Sequence, residues 1–298
     1  MQLQLLPSEK IDKKKWNECL NNSSNQFIYA SSDYLDCMAD NWDGIIAGNY
    51  ELIMPVTWRK KFGIKYCYKV PFMQQLGVFG KTFSQHDIDS CIKLMQESFK
   101  YGDYYFNNLN NVKNGSIHSN YILSLASNYR SISFFYTDKL KADLSKVKNN
   151  PLHYELSNAH EAVAIFRSLY AEKIPEVSST DYDNFSFLCD IKKKENNLIV
   201  RKISSNKNIL AIALLLKDKF RIYNLLSCTT QEGRGMFAGH FLYDSIIKEY
   251  SQTGLIFDFE GSEIPGVKHF YKSFGAINQP YTKLHFNKLP YPLRILKR

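Results

Sequence analysis

Asp258 and Glu260 stand two residues apart at the end of the apolar run Leu255–Phe259, and Tyr271 follows on a segment opened by Pro265 and stopped by Gly275. If that run is a strand, alternation puts both carboxylates on one face and Phe257, Phe259 and Gly261 on the other. Two carboxylates on one face raise each other's pKa, which suits a general base or acid. They serve equally to bind an arginine or to cap the next helix, and Ser262 is the better capping candidate. Tyr271 shares an apolar stripe with Val267, Phe270 and Phe274, so a catalytic phenol and a buried, hydrogen-bonded one are both open readings.

A second candidate is Gly233-Arg234-Gly235, followed by Met236, between a strand ending near Cys228 and a helix starting near Ala238. Free amides at a helix start hold phosphate, and glycine lets the backbone approach it. The same residues also make an ordinary flexible loop. In the first half, Trp58, Tyr66, Tyr68 and Phe72 mix with Arg59, Lys60, Lys61 and Lys65, and Gln74 and Gln75 follow. Aromatics beside cations can stack on a phosphorylated or sugar-bearing acceptor. Lysines on a hairpin edge equally discourage aggregation. The two glutamines, with Trp58, are expected to line a substrate groove between halves.

Other chemistries find no pattern. His160 and Glu161 are adjacent, but no second histidine follows at zinc-helix spacing, and the seven histidines are scattered. No Gly-x-Ser-x-Gly elbow is present. The expectation is an activity without metal.

The elements that must hold these residues are legible in outline. Helices are predicted over Lys13–Leu20 and Ser31–Ala39, and a hairpin turns at Gly48 and Asn49. Ser84 with Asp87 reads as a capping box, before a helical stripe of Ile88, Ile92, Met95 and Phe99. Strands are predicted near Gln75–Phe79 and Tyr104–Asn107. Past Pro151, Asn158 with Glu161 opens one helix and Thr180 with Asp183 another. Strands Leu198–Ile203, Ile209–Leu216 and Phe220–Ser227 follow, the last two joined by a tight turn at Lys217–Lys219 and so antiparallel. A helix from Ala238 to Tyr250, a strand Leu255–Phe259, a helix from Pro265 and strands near Ile277 and Leu284–Phe286 complete the order. Residues 1–150 and 151–298 are the expected halves.

At 298 residues, 44% apolar and 22% charged, the chain has the composition of a folded protein with two domains or fused halves. The first fifteen residues lack the apolar core of an export signal, and Ile209–Leu216, the longest apolar run, is too short to span a bilayer. Six cysteines at irregular intervals read as core residues of a reducing cytosol, so a cytoplasmic location is expected. A net charge of +9 favours phosphate-bearing partners, yet no stretch reads as a DNA-recognition helix, and no DNA partner is expected.

The order of antiparallel strands, glycine-bearing turn, helix, strand and a helix reading FYKSFGA resembles the GNAT acyltransferase fold. That family's pyrophosphate loop reads Gln/Arg-x-x-Gly-x-Gly/Ala, against TQEGRG here, with Thr230 at the first position. Its last helix reads aromatic-Tyr-x-x-x-Gly-aromatic, against FYKSFGA with Ala276 at the end. PFMQQLGVFG (71–80), FDFEGSEIPGVKHFYKSFGA (257–276) and NKLPYPLR (287–294) resemble the FemAB-like branch, tandem GNAT-type proteins common in bacteria.

The resemblance implies an α/β (α+β) chain of two fused GNAT-like halves, each a mixed, mostly antiparallel sheet flanked by helices. It implies N-acyl transfer from acetyl-CoA or another acyl-CoA to a small-molecule, peptide or cell-wall-precursor amine. Tyr271 would protonate the leaving thiolate, Glu260, or Asp258 through a water, would take the amine proton, and amides of Tyr223–Leu226 would face the oxyanion. Gly233, Arg234, Gly235, Met236 and Leu226 would hold the donor. The alternatives are a FemAB-like transferase using aminoacyl-tRNA, and a non-catalytic binding protein that kept the fold.

Overall fold

The structure, a computed structural model, describes residues 2–148, 150–261 and 263–296. Ser262 lies outside the described residues. The chain forms two mixed sheets, each combining antiparallel ladders with a parallel pair and each flanked by helices.

The eight-stranded sheet contains β1 (Leu3–Pro7), β2 (Trp42–Ala47), β3 (Leu52–Lys61), β4 (Ile64–Cys67), β5 (Phe79–Gly80), β6 (Tyr101–Phe106), β7 (Ser116–His118) and β15 (Tyr281–Asn287). Its order is β1-β2-β3-β4-β6-β15-β7, with β5 against β3. The predicted hairpin is present: Ala47 pairs with Leu52, and Gly48 turns at a φ of +54°. Helices α1 (Lys13–Asn21), α2 (Ser32–Met38) and α3 (Gln85–Ser98) accompany it. At the start of α3 the Ser84–Asp87 capping box forms in both directions. The strand expected over 75–79 shrinks to β5, and Leu76 makes only a single parallel bridge to Phe106.

The seven-stranded sheet contains β8 (Tyr121–Ser124), β9 (His153–Leu156), β10 (Leu198–Ser205), β11 (Asn208–Lys217), β12 (Arg221–Thr229), β13 (Ile256–Asp258) and β14 (Ile277–Asn278), in the order β14-β8-β13-β12-β11-β10-β9. As the turn at Lys217–Lys219 required, β11 and β12 are antiparallel. Its helices are α4 (Tyr129–Phe134), α5 (Asp138–Val147), α6 (Ala159–Tyr170), α7 (Ser179–Lys194), α8 (Gln231–Gly235), α9 (Ala238–Tyr250) and α10 (Pro265–Ser273). One core joins Leu215, Ile222, Leu242, Ile246, Phe257, Phe259 and Phe274. Each such side chain contributes about 1.5–3 kcal/mol by leaving water.

Two sequence expectations are displaced. The start of α7 is capped by Ser178, whose hydroxyl accepts from the Asp181 amide while Asp181 accepts from the Ser178 amide; Thr180 lies inside the helix. The compact units are 1–118 with 280–298, and 119–279, in place of a single division at residue 150. The cause is strand pairing: β8 joins β13 and β14, whereas β15 pairs with β6 and β7. Among the described residues no helix is long and apolar enough to cross a membrane.

Candidate active site

Strands β12 and β13 pair in parallel from Arg221–Ile256 to Tyr223–Asp258, where the ladder stops. The next residues of β12 form a bulge: Asn224 pairs with Leu215 and Leu226 with Leu214, leaving Leu225 without a pair on β11. A bulge bends and twists its strand. On the other side Glu260 takes a φ of +66°, which ends the extended run. The two strands therefore part. Beyond that point lies a cavity of about 410 Å³, lined by Ser227–Thr229 of β12, Gly239 and His240 of α9, Phe270 and Tyr271 of α10, and Phe166 and Tyr170 of α6. All of these belong to the unit 119–279.

Tyr271 thus stands on the cavity wall, beside Tyr243. Burial, with Tyr243 and Glu260 as neighbours, holds its hydroxyl well above the ordinary tyrosine pKa. The phenol keeps its proton through neutral pH and can donate it toward negative charge that develops beside it. Tyr243 accepts from Asn224 Nδ2 at 2.7 Å and donates to Ser227 Oγ at 2.8 Å. Asn224 is only 5% exposed, and its Oδ1 is enclosed without a partner. A buried acceptor left unpaired costs about 1–3 kcal/mol, so this one stands out at the point where the strands separate.

The two carboxylates divide in role. Asp258 has no exposed surface; it accepts from Arg221 Nη1 at 2.8 Å, from Asn120 Nδ2 at 3.3 Å and from the Glu260 amide at 3.0 Å. Burial pushes its carboxyl up, and the Arg221 guanidinium opposes that shift. This oxygen set is committed to holding strands together and has no route to a substrate proton, contrary to the expectation of a base acting through water. Glu260 is half-buried, and its charge is felt at Tyr271.

The glycine-bearing segment also departs from expectation. It forms α8, capped by Thr230, whose Oγ1 accepts from the Gly233 amide at 3.0 Å. The amides of Arg234, Met236 and Phe237 bond to Thr230, Glu232 and Arg234 carbonyls. Amides bonded internally cannot also grip a diphosphate. Gly233 instead permits close packing, since a Cβ there would lie 2.3 Å from the Leu210 carbonyl oxygen. Leu226 is buried, Met236 packs on the core, and neither lines the cavity, nor does Gly235; Arg234 does.

The amides free of a protein acceptor come next, on the first turn of α9: Ala238, Gly239 and His240, before the Phe241 amide bonds to Phe237. Phe237 precedes them in the left-handed region, at a φ of +57°. Gly239 lies so close to β12 that a Cβ would meet Thr229 Oγ1 at 2.8 Å. Shifted by four residues, the Gln/Arg-x-x-Gly-x-Gly/Ala pattern reads Arg234-x-x-Phe237-x-Gly239. Arginine and the last glycine match, and the middle position is a phenylalanine held in the left-handed region that glycine adopts most readily.

Trp58, Gln74 and Gln75 belong to the other unit. Trp58 donates from Nε1 to Asp43 Oδ1 at 2.9 Å and carries Lys65 over its ring at 3.9 Å. Gln74 and Gln75 are buried, bonded to each other, and border a cavity of about 20 Å³, too small for more than a water. Among the described residues no group of three or more His, Cys, Asp or Glu is arranged to hold a metal ion.

No family model matches the sequence, and no curated protein matches it. Solved structures do. FemX aligns over 99% of this chain and 99% of its own, with a TM-score of 0.67 at 12% identity. A tandem GNAT protein from the clavulanic acid biosynthesis pathway aligns over 97% and 99%, with a TM-score of 0.54 at 8% identity. L-PGS from Bacillus licheniformis aligns over 96% and 94%, with a TM-score of 0.53 at 11% identity. At such identities the likeness is one of architecture, and by it the chain has the tandem GNAT-like fold of the FemAB-like type.

Proposed function

We propose that the unit 119–279 binds an acyl-CoA between β12 and β13 and transfers its acyl group directly to an amine. One observation supports this reading: the parallel ladder ends at Tyr223–Asp258, and further along β12 Ser227–Thr229 line a cavity that has the Tyr271 phenol on its wall and unbonded first-turn amides of α9 at one side. The diphosphate would sit on the first turn of α9, where the amides and the helix dipole favour an anion, with Arg234 beside it. The pantetheine arm would lie in the gap, and Asn224 Oδ1 would receive one of its amide hydrogens once the strands admit it.

The amine nitrogen attacks the thioester carbonyl, and a C–N bond forms as the C–S bond breaks. Glu260 takes the proton lost by the amine. The departing thiolate takes the Tyr271 proton, and the phenolate recovers it from solvent. Amides around the bulge at Leu225 would face the oxyanion. The acceptor is an amine of a small molecule, a peptide or a cell-wall precursor.

Equilibrium binding of coenzyme A and of deacylated tRNA, each at low and at physiological salt, tests the donor class. This reading expects saturable CoA binding that loses little with salt. Tight tRNA binding that falls steeply with salt, with no CoA binding, would replace it with an aminoacyl-tRNA-dependent transferase.

A further inference from the structure

A second cavity, of about 190 Å³, adjoins the first and shares His240, Gly266 and Phe270 with it. Its other polar walls are Thr137, Lys139, Asp143, His269 and Ser273. Asp143, the carboxylate among these lining residues, is already paired with Lys146 at 2.9 Å. Ser273 spends its hydroxyl hydrogen on the Phe270 carbonyl. Thr137 Oγ1 caps α5 by accepting from the Leu140 amide, which leaves its hydrogen to donate. Lys139 is exposed. The wall therefore offers a lysine, a hydroxyl and two imidazoles, and the first turns of α5 and α9 both begin there, adding positive helix ends of 10- and 13-residue helices.

We infer that this cavity takes the phosphate monoester on the 3′-oxygen of the CoA ribose, with Lys139, Thr137 and His269 as its donors. The inference rests on the acyl-CoA reading. In CoA that monoester lies one ribose away from the diphosphate, and here the second cavity shares with the first the wall residue His240, whose own amide is one of the first-turn amides of α9. A dianionic phosphate facing a lysine and hydroxyl makes charge-assisted bonds, which are the strong kind. The site would thus select free CoA thioesters over thioesters carried on a phosphopantetheine without the nucleotide.

The test is calorimetric titration of the whole protein with CoA and with 3′-dephospho-CoA, in wild type and in Lys139→Ala. The expectation is about tenfold weaker binding of dephospho-CoA to wild type, a difference that Lys139→Ala largely removes while leaving the dephospho-CoA affinity unchanged. Lys139 is exposed, so the variant folds; its melting curve checks this. Equal affinities of wild type for the two ligands, or a Lys139→Ala loss shared by both, would overturn the monoester site while leaving the donor reading in place. Absence of binding by either ligand would overturn the donor reading, and the inference with it.

Discussion

Arg221 and Asp258 form an ion pair, Nη1 to Oδ2 at 2.8 Å, with side chains 9% and 0% exposed. The same guanidinium donates to Gln279 Oε1 at 2.8 Å, and the same carboxylate accepts from Asn120. The pair therefore ties β12 and β13 to the residues flanking β8 and β14, immediately before the strands part.

Removing one member leaves the other charged and buried without compensation. Asp258→Ala is expected to lose about 3–5 kcal/mol of unfolding free energy in a urea titration. A variant of unchanged stability that had lost acyl transfer would return Asp258 to the chemistry.

For Tyr271→Phe the expectation is different: retained fold, retained CoA affinity, and turnover lower by about 10²-fold or more once an acceptor is in hand. The sign of the pH dependence follows from burial. In the proposed mechanism the acid form is the one that acts, and burial raises its pKa well above 10, so Tyr271 should contribute no decline in rate as pH climbs from 7 to 10. An alkaline limb near pH 8 that vanishes in Tyr271→Phe would contradict this.

Gly233 is a packing residue on this account. Its missing Cβ faces a backbone carbonyl that cannot move aside, so Gly233→Ala should cost about 1–3 kcal/mol, read as a fall in melting temperature. Gly235 has open space around it, and Gly235→Ala should be near neutral. A large loss of CoA affinity with stability intact in both would restore the original loop as the anion site.

The α7 cap offers a check that involves no ligand. Ser178→Ala removes the hydroxyl that accepts from the Asp181 amide and should cost about 1 kcal/mol, whereas Thr180→Ala should lie within about 0.5 kcal/mol of wild type. Chemical denaturation of the two variants decides between the caps.

Local signals carried much of the architecture. The Ser84–Asp87 box, the Gly48 turn, the antiparallel pair across Lys217–Lys219 and the Pro265-to-Gly275 helix all depend on residues a few positions apart, and all are present. What depended on distant partners was not legible. Nothing near Tyr121 announces pairing with Asp258 and Ile277, and nothing near Tyr281 announces a return to β6, so the unit boundaries were misplaced. In the site, Asp258 looked like half of a catalytic pair because alternation sees the face of a strand and not Arg221 opposite. The glycine-bearing segment folds as α8 with amides bonded internally, which its two glycines do not announce, and the residue in the left-handed conformation just before α9 is a phenylalanine.

The proposed transfer requires a diphosphate-bearing thioester between β12 and β13 with its phosphates on the first turn of α9. A crystal structure of the protein soaked with CoA tests it most directly. Density for the pantetheine arm between Leu225 and Glu260, with a diphosphate oxygen within hydrogen-bond distance of the Gly239 or His240 amide, is the predicted result. A closed gap with Tyr243 and Tyr271 sealed from ligand, or CoA bound elsewhere on the molecule, would contradict it.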